Sequence, residues 1–127
     1  MSITATLAGN IQLTDSTTNA TVFTKQLLAL LMVGTSFTET NAASIGTSPT
    51  SITLPVSPTQ FVYIKNLHAT QTLAVSWTPT GGSSAVIQTL QPGSVVIFSE
   101  LAAGSGITAL SLTGSGAATT CEMVLAG

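Results

Sequence analysis

The sequence has very little charge. Only 5% of its 127 residues are Asp, Glu, Lys or Arg, and arginine is absent, whereas an ordinary globular protein has about 25%. The charged residues are Lys25, Lys65, Asp15, Glu39, Glu100 and Glu122. A surface of hydroxyl, amide and small apolar groups lacks the repulsion that keeps monomers dispersed. The composition therefore favours a subunit that buries much of its surface in an assembly. A Ser/Thr-rich soluble monomer is the alternative.

Long apolar runs and basic clusters are missing as well. The longest apolar run, Leu27–Val33, is far shorter than the ~20 residues of a membrane-spanning helix. Two lysines among four acidic residues do not provide the positive charge that phosphate binding requires. No basic segment opens the chain, so we expect no secretory signal and synthesis in the cytoplasm of a host cell. The sequence predicts neither a membrane nor a nucleic acid as a partner.

Titratable groups for catalysis or metal binding are scarce. The chain has one histidine, His68, and one cysteine, Cys121, whereas a structural zinc site takes four Cys or His ligands. The acidic residues lie too far apart in sequence for a calcium loop, and no serine stands in a Gly-x-Ser-x-Gly elbow. We therefore predict that the protein is not an enzyme and has no catalytic, metal-binding or cofactor-binding residues. His68 is interpreted as a turn residue, and Cys121 as a small core residue.

The sequence does contain many short apolar segments separated by turn residues. Phe61–Asn66 alternates between two faces, and Thr72–Trp77 places Leu73, Val75 and Trp77 on one face. Gln91-Pro92-Gly93 suits a type II turn. This pattern predicts a single β domain over residues 1–127. Its fold class is all-β, a β-sandwich or jelly roll of about eight to ten short antiparallel strands.

Two segments are less clear in the sequence. Lys25–Val33 is rich in helix formers, but its length and β-branched flanks favour a strand. The Ser/Thr/Asn-rich stretch that follows predicts a long loop or arm at residues 38–50. Such a segment either becomes ordered on contact with a neighbouring subunit or is a surface loop of no consequence.

Two aromatic residues are candidates for recognition. Tyr63 shares its strand face with Lys65, and tyrosine is common at interfaces because it buries a large area at little entropic cost. Tyr63 and Lys65 are therefore the candidate interface residues. Trp77 alternates with apolar residues, which favours a core position. The alternative is that Tyr63 or Trp77 presents a flat face to a sugar ring.

Part of the chain resembles a known family. Phe61–Leu67, Leu73–Val75 and Leu90–Phe98 are similar to small β-rich virion proteins of tailed bacteriophages, in which an aromatic-Val-x-Ile-x-Asn strand precedes a polar hairpin and a Leu-x-Pro-Gly turn. The similarity covers roughly Phe61–Glu100. It implies a structural protein located in the virion and does not specify the part of the particle. The leading hypothesis is a homo-oligomeric capsid decoration (cement) subunit that contacts major capsid or tail proteins. A tail, neck or baseplate protein and a carbohydrate-binding β-sandwich module are the alternatives.

Overall fold

The computed structural model describes residues 2–127, apart from the side chains of residues 27–33. These residues form ten strands that pair antiparallel, which confirms the predicted all-β fold class. Within residues 2–127, no helix has the length and apolarity of a membrane span. The strands are β1 (Ile3–Thr14), β2 (Thr21–Gly34), β3 (Phe37–Ile45), β4 (Thr50–Ser51), β5 (Phe61–Asn66), β6 (Leu73–Pro79), β7 (Val86–Leu90), β8 (Val95–Ser99), β9 (Ile107–Gly114) and β10 (Thr119–Ala126).

Eight of these strands form a sandwich of two four-stranded sheets. The front sheet has the order β3-β10-β5-β8, and the back sheet has the order β4-β9-β6-β7. Because successive side chains of a strand point to opposite faces, every second residue enters the space between the sheets. The buried residues there are Ile45, Val62, Ile64, Leu73, Val75, Leu90, Ile107, Leu110, Leu112, Cys121, Met123 and Leu125.

Asn66 ties the two sheets together at one end of the sandwich. Its side chain is fully buried, and its Nδ2 donates to the carbonyl oxygens of Gln71 at 2.8 Å and Leu90 at 3.1 Å. Its Oδ1 accepts a hydrogen bond from the His68 amide at 3.0 Å. A buried amide group is costly unless its donors and acceptor are satisfied. Asn66 meets this condition by joining β5, the β5–β6 connection and the end of β7.

The turn after β7 has the predicted geometry. The Ser94 amide donates to the Gln91 carbonyl at 2.9 Å, and Gly93 has φ +77°, a conformation that a type II turn requires at this position. The turn carries the chain from β7 in the back sheet to β8 in the front sheet. This element follows directly from the Pro-Gly pair.

The prediction of a long loop or arm at residues 38–50 is wrong. Phe37–Ile45 forms β3, an edge strand of the front sheet, which pairs with β10 from Phe37↔Ala126 to Ile45↔Thr119. Only residues 46–49 connect it to β4. The polar composition concealed the strand because its inward side chains are small apart from Ile45, and the bulky core residues at this place come from β10.

The first two strands form a sheet of their own, here called the hairpin (residues 3–34). In residues 2–127, it has no strand ladder with either four-stranded sheet. The strand predicted at Lys25–Val33 is confirmed as part of β2, although β1 and β2, with 12 and 14 residues, are longer than the short strands expected. At about 3.4 Å per residue, the hairpin is roughly 40 Å long.

The hairpin turn is held by Asp15. Its Oδ1 accepts hydrogen bonds from the amides of Thr17 at 2.7 Å and Thr18 at 3.1 Å, and these bonds hold the pKa of Asp15 below its usual value. Asn19 adopts the left-handed conformation with φ 57°, which asparagine tolerates better than most residues. The turn is therefore specified by local residues.

Candidate functional site

The two outer faces of the sandwich differ in chemistry. The back sheet presents mostly small and hydroxyl-bearing residues, including Ala74, Ser76, Thr89 and Ser111. Its large apolar residue is Ile87, opposite Ser76, which is 69% exposed. The front sheet presents aromatic, aliphatic and charged residues, here called the front face. Its members are Phe37 and Glu39 of β3, Glu122 and Val124 of β10, Phe61, Tyr63 and Lys65 of β5, and Val95 and Ile97 of β8. Of these two outer faces, the front face is the one that combines large apolar groups with charge, which is the composition expected of a recognition surface.

The two predicted interface residues both lie on the front face. Tyr63 and Lys65 are half-buried there, and the Tyr63 hydroxyl donates to Glu122 Oε1 at 2.7 Å. This hydrogen bond to the carboxylate, together with burial, raises the pKa of Tyr63. Glu122 also lies directly opposite Lys65 on the neighbouring strand. The hydrogen bond to Glu122 thus holds the Tyr63 side chain in one orientation. The role of Tyr63 and Lys65 as interface residues remains a prediction.

A cavity of about 190 Å³ opens on the front face beside Tyr63. Its lining includes two carboxylate-bearing residues, Glu39 and Glu122, as well as Thr40 and Asn41. Val124 of β10 lies between Glu39 of β3 and Tyr63 of β5. The cavity is located where the pairing of β3 with β10 is irregular, between Cys121 and Met123. The cavity can accept a hydrogen-bond donor or a cation of side-chain size.

The sequence did not indicate Glu39 and Glu122 as site residues. Glu39 was placed in the predicted loop, and Glu122 is far from it in sequence. Only the pairing of β3 with β10 brings the two side chains to one cavity. The signal that could have identified Glu39 was the alternation of Phe37–Ile45, which puts Phe37, Glu39 and Asn41 on one face of a strand.

The hairpin carries large apolar side chains that nothing covers in the described part of the chain. Leu13, Phe23 and Ile11 are 56%, 48% and 45% exposed. Leu13 lies opposite Phe23, and Ile11 lies opposite Lys25, so all four share one face. We call these four residues the hairpin patch. The opposite face carries polar pairs such as Gln12 and Thr24. Val22, which has no partner in the register and is not part of the patch, is 70% exposed. An exposed apolar cluster is typical of a surface that binds a partner.

Trp77 lies on the inner side of the back sheet. It is half-buried, packs against the core cluster and lines an apolar gap between the sheets together with Val75, Val96 and Phe98. The gap measures only about 10 Å³, roughly the space of one water molecule. This placement agrees with the core position that the alternation favours.

His68 and Cys121 have structural positions. His68 Nδ1 accepts hydrogen bonds from the amides of Gln71 at 2.9 Å and Thr70 at 3.2 Å, as suits a turn histidine. Cys121 is fully buried, and its burial raises the pKa of the thiol to about 11. Among the described residues, no three His, Cys, Asp or Glu side chains come together as a metal site.

Comparisons with known proteins provide little. No family model matches the sequence, and no curated protein matches it either. One solved structure, from work on Bacillus endospore appendages described as a novel family of disulfide-linked pili, is similar in fold with a TM-score of 0.48 and 14% identity. The similarity covers 73% of this chain and 90% of that chain. Likeness at this level carries no conclusion about function.

Proposed function

We propose that the chain is a non-enzymatic structural subunit that assembles with copies of itself through the hairpin patch and the front face. The observation that carries the proposal is the exposure of Ile11, Leu13 and Phe23 on one side of the hairpin. We further propose that this subunit is part of a bacteriophage particle, a role that the resemblance of residues 61–100 to phage virion proteins supports. Its role there is capsid decoration (cement), with a tail, neck or baseplate position as the alternative.

The physical basis is the instability of an isolated hairpin. Two strands alone are marginally stable in water, whereas a third strand or a packing partner supplies the missing apolar contacts. Ile11, Leu13 and Phe23 each keep about half of their surface exposed. Covering that half contributes roughly 1 kcal/mol per side chain, since full burial of such residues contributes about 1.5–3 kcal/mol. Repeated around an assembly, this contribution stabilises every subunit.

The test is the mass of the full-length protein in solution. We expect the wild-type chain, of 12.8 kDa, to form oligomers, and a Leu13→Ser/Phe23→Ser variant to be a monomer because the patch has lost its apolar groups. The matched control is Gln12→Ala/Thr24→Ala, a cross-strand pair on the opposite face, which should assemble like the wild type. A wild-type chain that stays monomeric at high concentration would overturn the proposal.

The virion setting has its own test. Mass spectrometry of purified phage particles whose genome encodes this chain should find it in a fixed ratio to the major capsid or tail protein. If particles lack the chain, the virion part of the proposal fails, and self-assembly still stands on the first measurement.

A further inference from the structure

The cavity on the front face has an excess of negative charge. Glu39 and Glu122 line it, and Lys65 is the cation that stands on the same face, opposite Glu122. One Glu122 oxygen accepts the Tyr63 hydroxyl at 2.7 Å, which fixes the carboxylate in place. A second cation is therefore complementary to this surface.

The chain offers one other basic side chain, Lys25 in the hairpin patch. It is exposed and stands opposite Ile11, with Leu13 and Phe23 as the next pair on the same face. Lysine keeps its charged end mobile while its aliphatic stem lies along apolar groups. The hairpin patch thus combines one positive charge with three apolar side chains, and the front face combines a negative cavity with an apolar row.

We propose that the hairpin patch of one copy lies on the front face of a second copy, with the Lys25 ammonium group between Glu39 and Glu122. This inference rests on the proposed self-assembly and names its contact. The row beside the cavity runs Val124, Tyr63, Ile97 across three strands, spaced by ~5 Å per strand. Leu13 and Phe23 lie ~7 Å from Lys25 along the hairpin. If the hairpin crosses the strands of the front sheet, Lys25 in the cavity brings the apolar pair toward Tyr63, which lies two strands (~10 Å) from Glu39.

The contact requires a second copy because a hairpin cannot reach this position on its own sheet. Only Thr35 and Ser36 join β2 to β3, and both amides donate to the Gly127 carbonyl at 2.8 and 2.9 Å, which anchors the base. Lys25 lies roughly 30 Å along the hairpin from Gly34, whereas Glu39 lies only ~7 Å along β3 from Phe37. Even folded back along β3, the hairpin would carry Lys25 past the far end of that strand.

The geometry also determines the kind of assembly. The hairpin patch and the front face are different surfaces of one chain, so the contact is head-to-tail. Such a contact produces a closed ring when the rotation between copies closes, and a filament when it does not. A two-copy complex with one such contact leaves one patch and one front face free, whereas a dimer with two-fold symmetry makes the contact twice and is the smallest closed ring.

The test exchanges the two charges. Lys25→Glu and Glu39→Lys should each raise the concentration needed for assembly by at least about tenfold, since the coupling of a close charge pair at an interface is of the order of 1.5 kcal/mol or more. A mixture of the two variants should assemble nearly as well as the wild type, because each hairpin then meets an opposite charge on the other variant. The matched control for Glu39→Lys is Glu100→Lys, which makes the same change in net charge outside the cavity.

A second measurement uses the wild-type protein and does not depend on the folding of variants. Carbodiimide cross-linking of an assembly made from light and ¹⁵N-labelled chains should yield a Lys25–Glu39 or Lys25–Glu122 amide that joins a light and a heavy peptide. Assembly of the wild type without this cross-link, or equal assembly of all variants, would overturn the docking contact and leave self-assembly standing. A monomeric wild type would overturn both proposals.

Discussion

The sandwich and the hairpin use their apolar side chains in opposite ways. Leu73, Val75 and Leu112 in the sandwich are fully buried, whereas Leu13 and Phe23 in the hairpin are about half exposed. Both regions alternate apolar and polar residues along their strands, and the sandwich has a second sheet to cover the apolar side. The sandwich therefore covers the inner side chains of both its sheets by itself, whereas the hairpin has no second sheet among residues 2–127 to cover its apolar face.

The largest expected effect is on the free energy of unfolding, when a leucine side chain is shortened to alanine in the sandwich or in the hairpin. Leu112→Ala should lower the free energy of unfolding by about 2–5 kcal/mol, as other buried leucines do, measured by urea denaturation at a concentration where the protein is monomeric. Leu13→Ala should change it by less than about 0.5 kcal/mol and should weaken assembly instead. Equal loss of stability in both variants would mean that the hairpin belongs to the same cooperative core.

The next effect concerns a buried polar group. Asn66→Asp should destabilise the sandwich by about 1–3 kcal/mol or more, because a carboxylate cannot donate to the Gln71 and Leu90 carbonyls. Asn10→Asp, on the exposed polar face of the hairpin, is the matched control and should have little effect. Thermal denaturation of the two variants side by side measures the difference. Similar melting temperatures would contradict the role of Asn66 as a tie between the sheets.

A smaller loss of stability is expected at Gly106, directly before β9, where the backbone passes close to Thr59. Gly106 has φ +140°, and an added Cβ would collide with the Thr59 carbonyl, which accepts the Ile107 amide at 2.9 Å. Gly106→Ala should therefore cost more than about 1 kcal/mol. Gly46→Ala places its methyl group in open space and serves as the control. A harmless Gly106→Ala would show that this connection adapts.

The smallest effect is on pH dependence. Burial raises the pKa of Cys121 from 9.0 to about 11, so the folded state binds the thiol proton more tightly than the unfolded state does. The resulting stabilisation is complete below pH 9 and is lost as the pH rises toward 11. The stability of the wild type should therefore fall more steeply between these values than that of Cys121→Ala. Parallel curves in urea titrations at several pH values would contradict the burial of the thiol.

The sequence was sufficient for elements whose specification is local. Phe61–Asn66 shows its period of two in large residues, and Pro92-Gly93 determines its own turn. β3 was missed because its core side is filled largely by Met123 and Cys121 of the partner strand. A polar strand of this kind is recognisable only once its neighbour is known.

The candidate site was predicted only in part for the same reason. Tyr63 and Lys65 were placed on an exposed face by alternation, but Glu39 and Glu122 meet through long-range pairing. The separate hairpin was also beyond local prediction, because β1 alternates as a sandwich strand does. Nothing in residues 3–14 indicates that their apolar side has no second sheet to cover it.

Hydrogen–deuterium exchange as a function of protein concentration tests the central claim most directly. If the hairpin patch is the surface that neighbours cover, amides of β1 and β2 should become strongly protected as the protein associates, while the core strands β6 and β9 keep the protection that they already have in the monomer. Association that leaves the exchange of β1 and β2 unchanged would contradict the account.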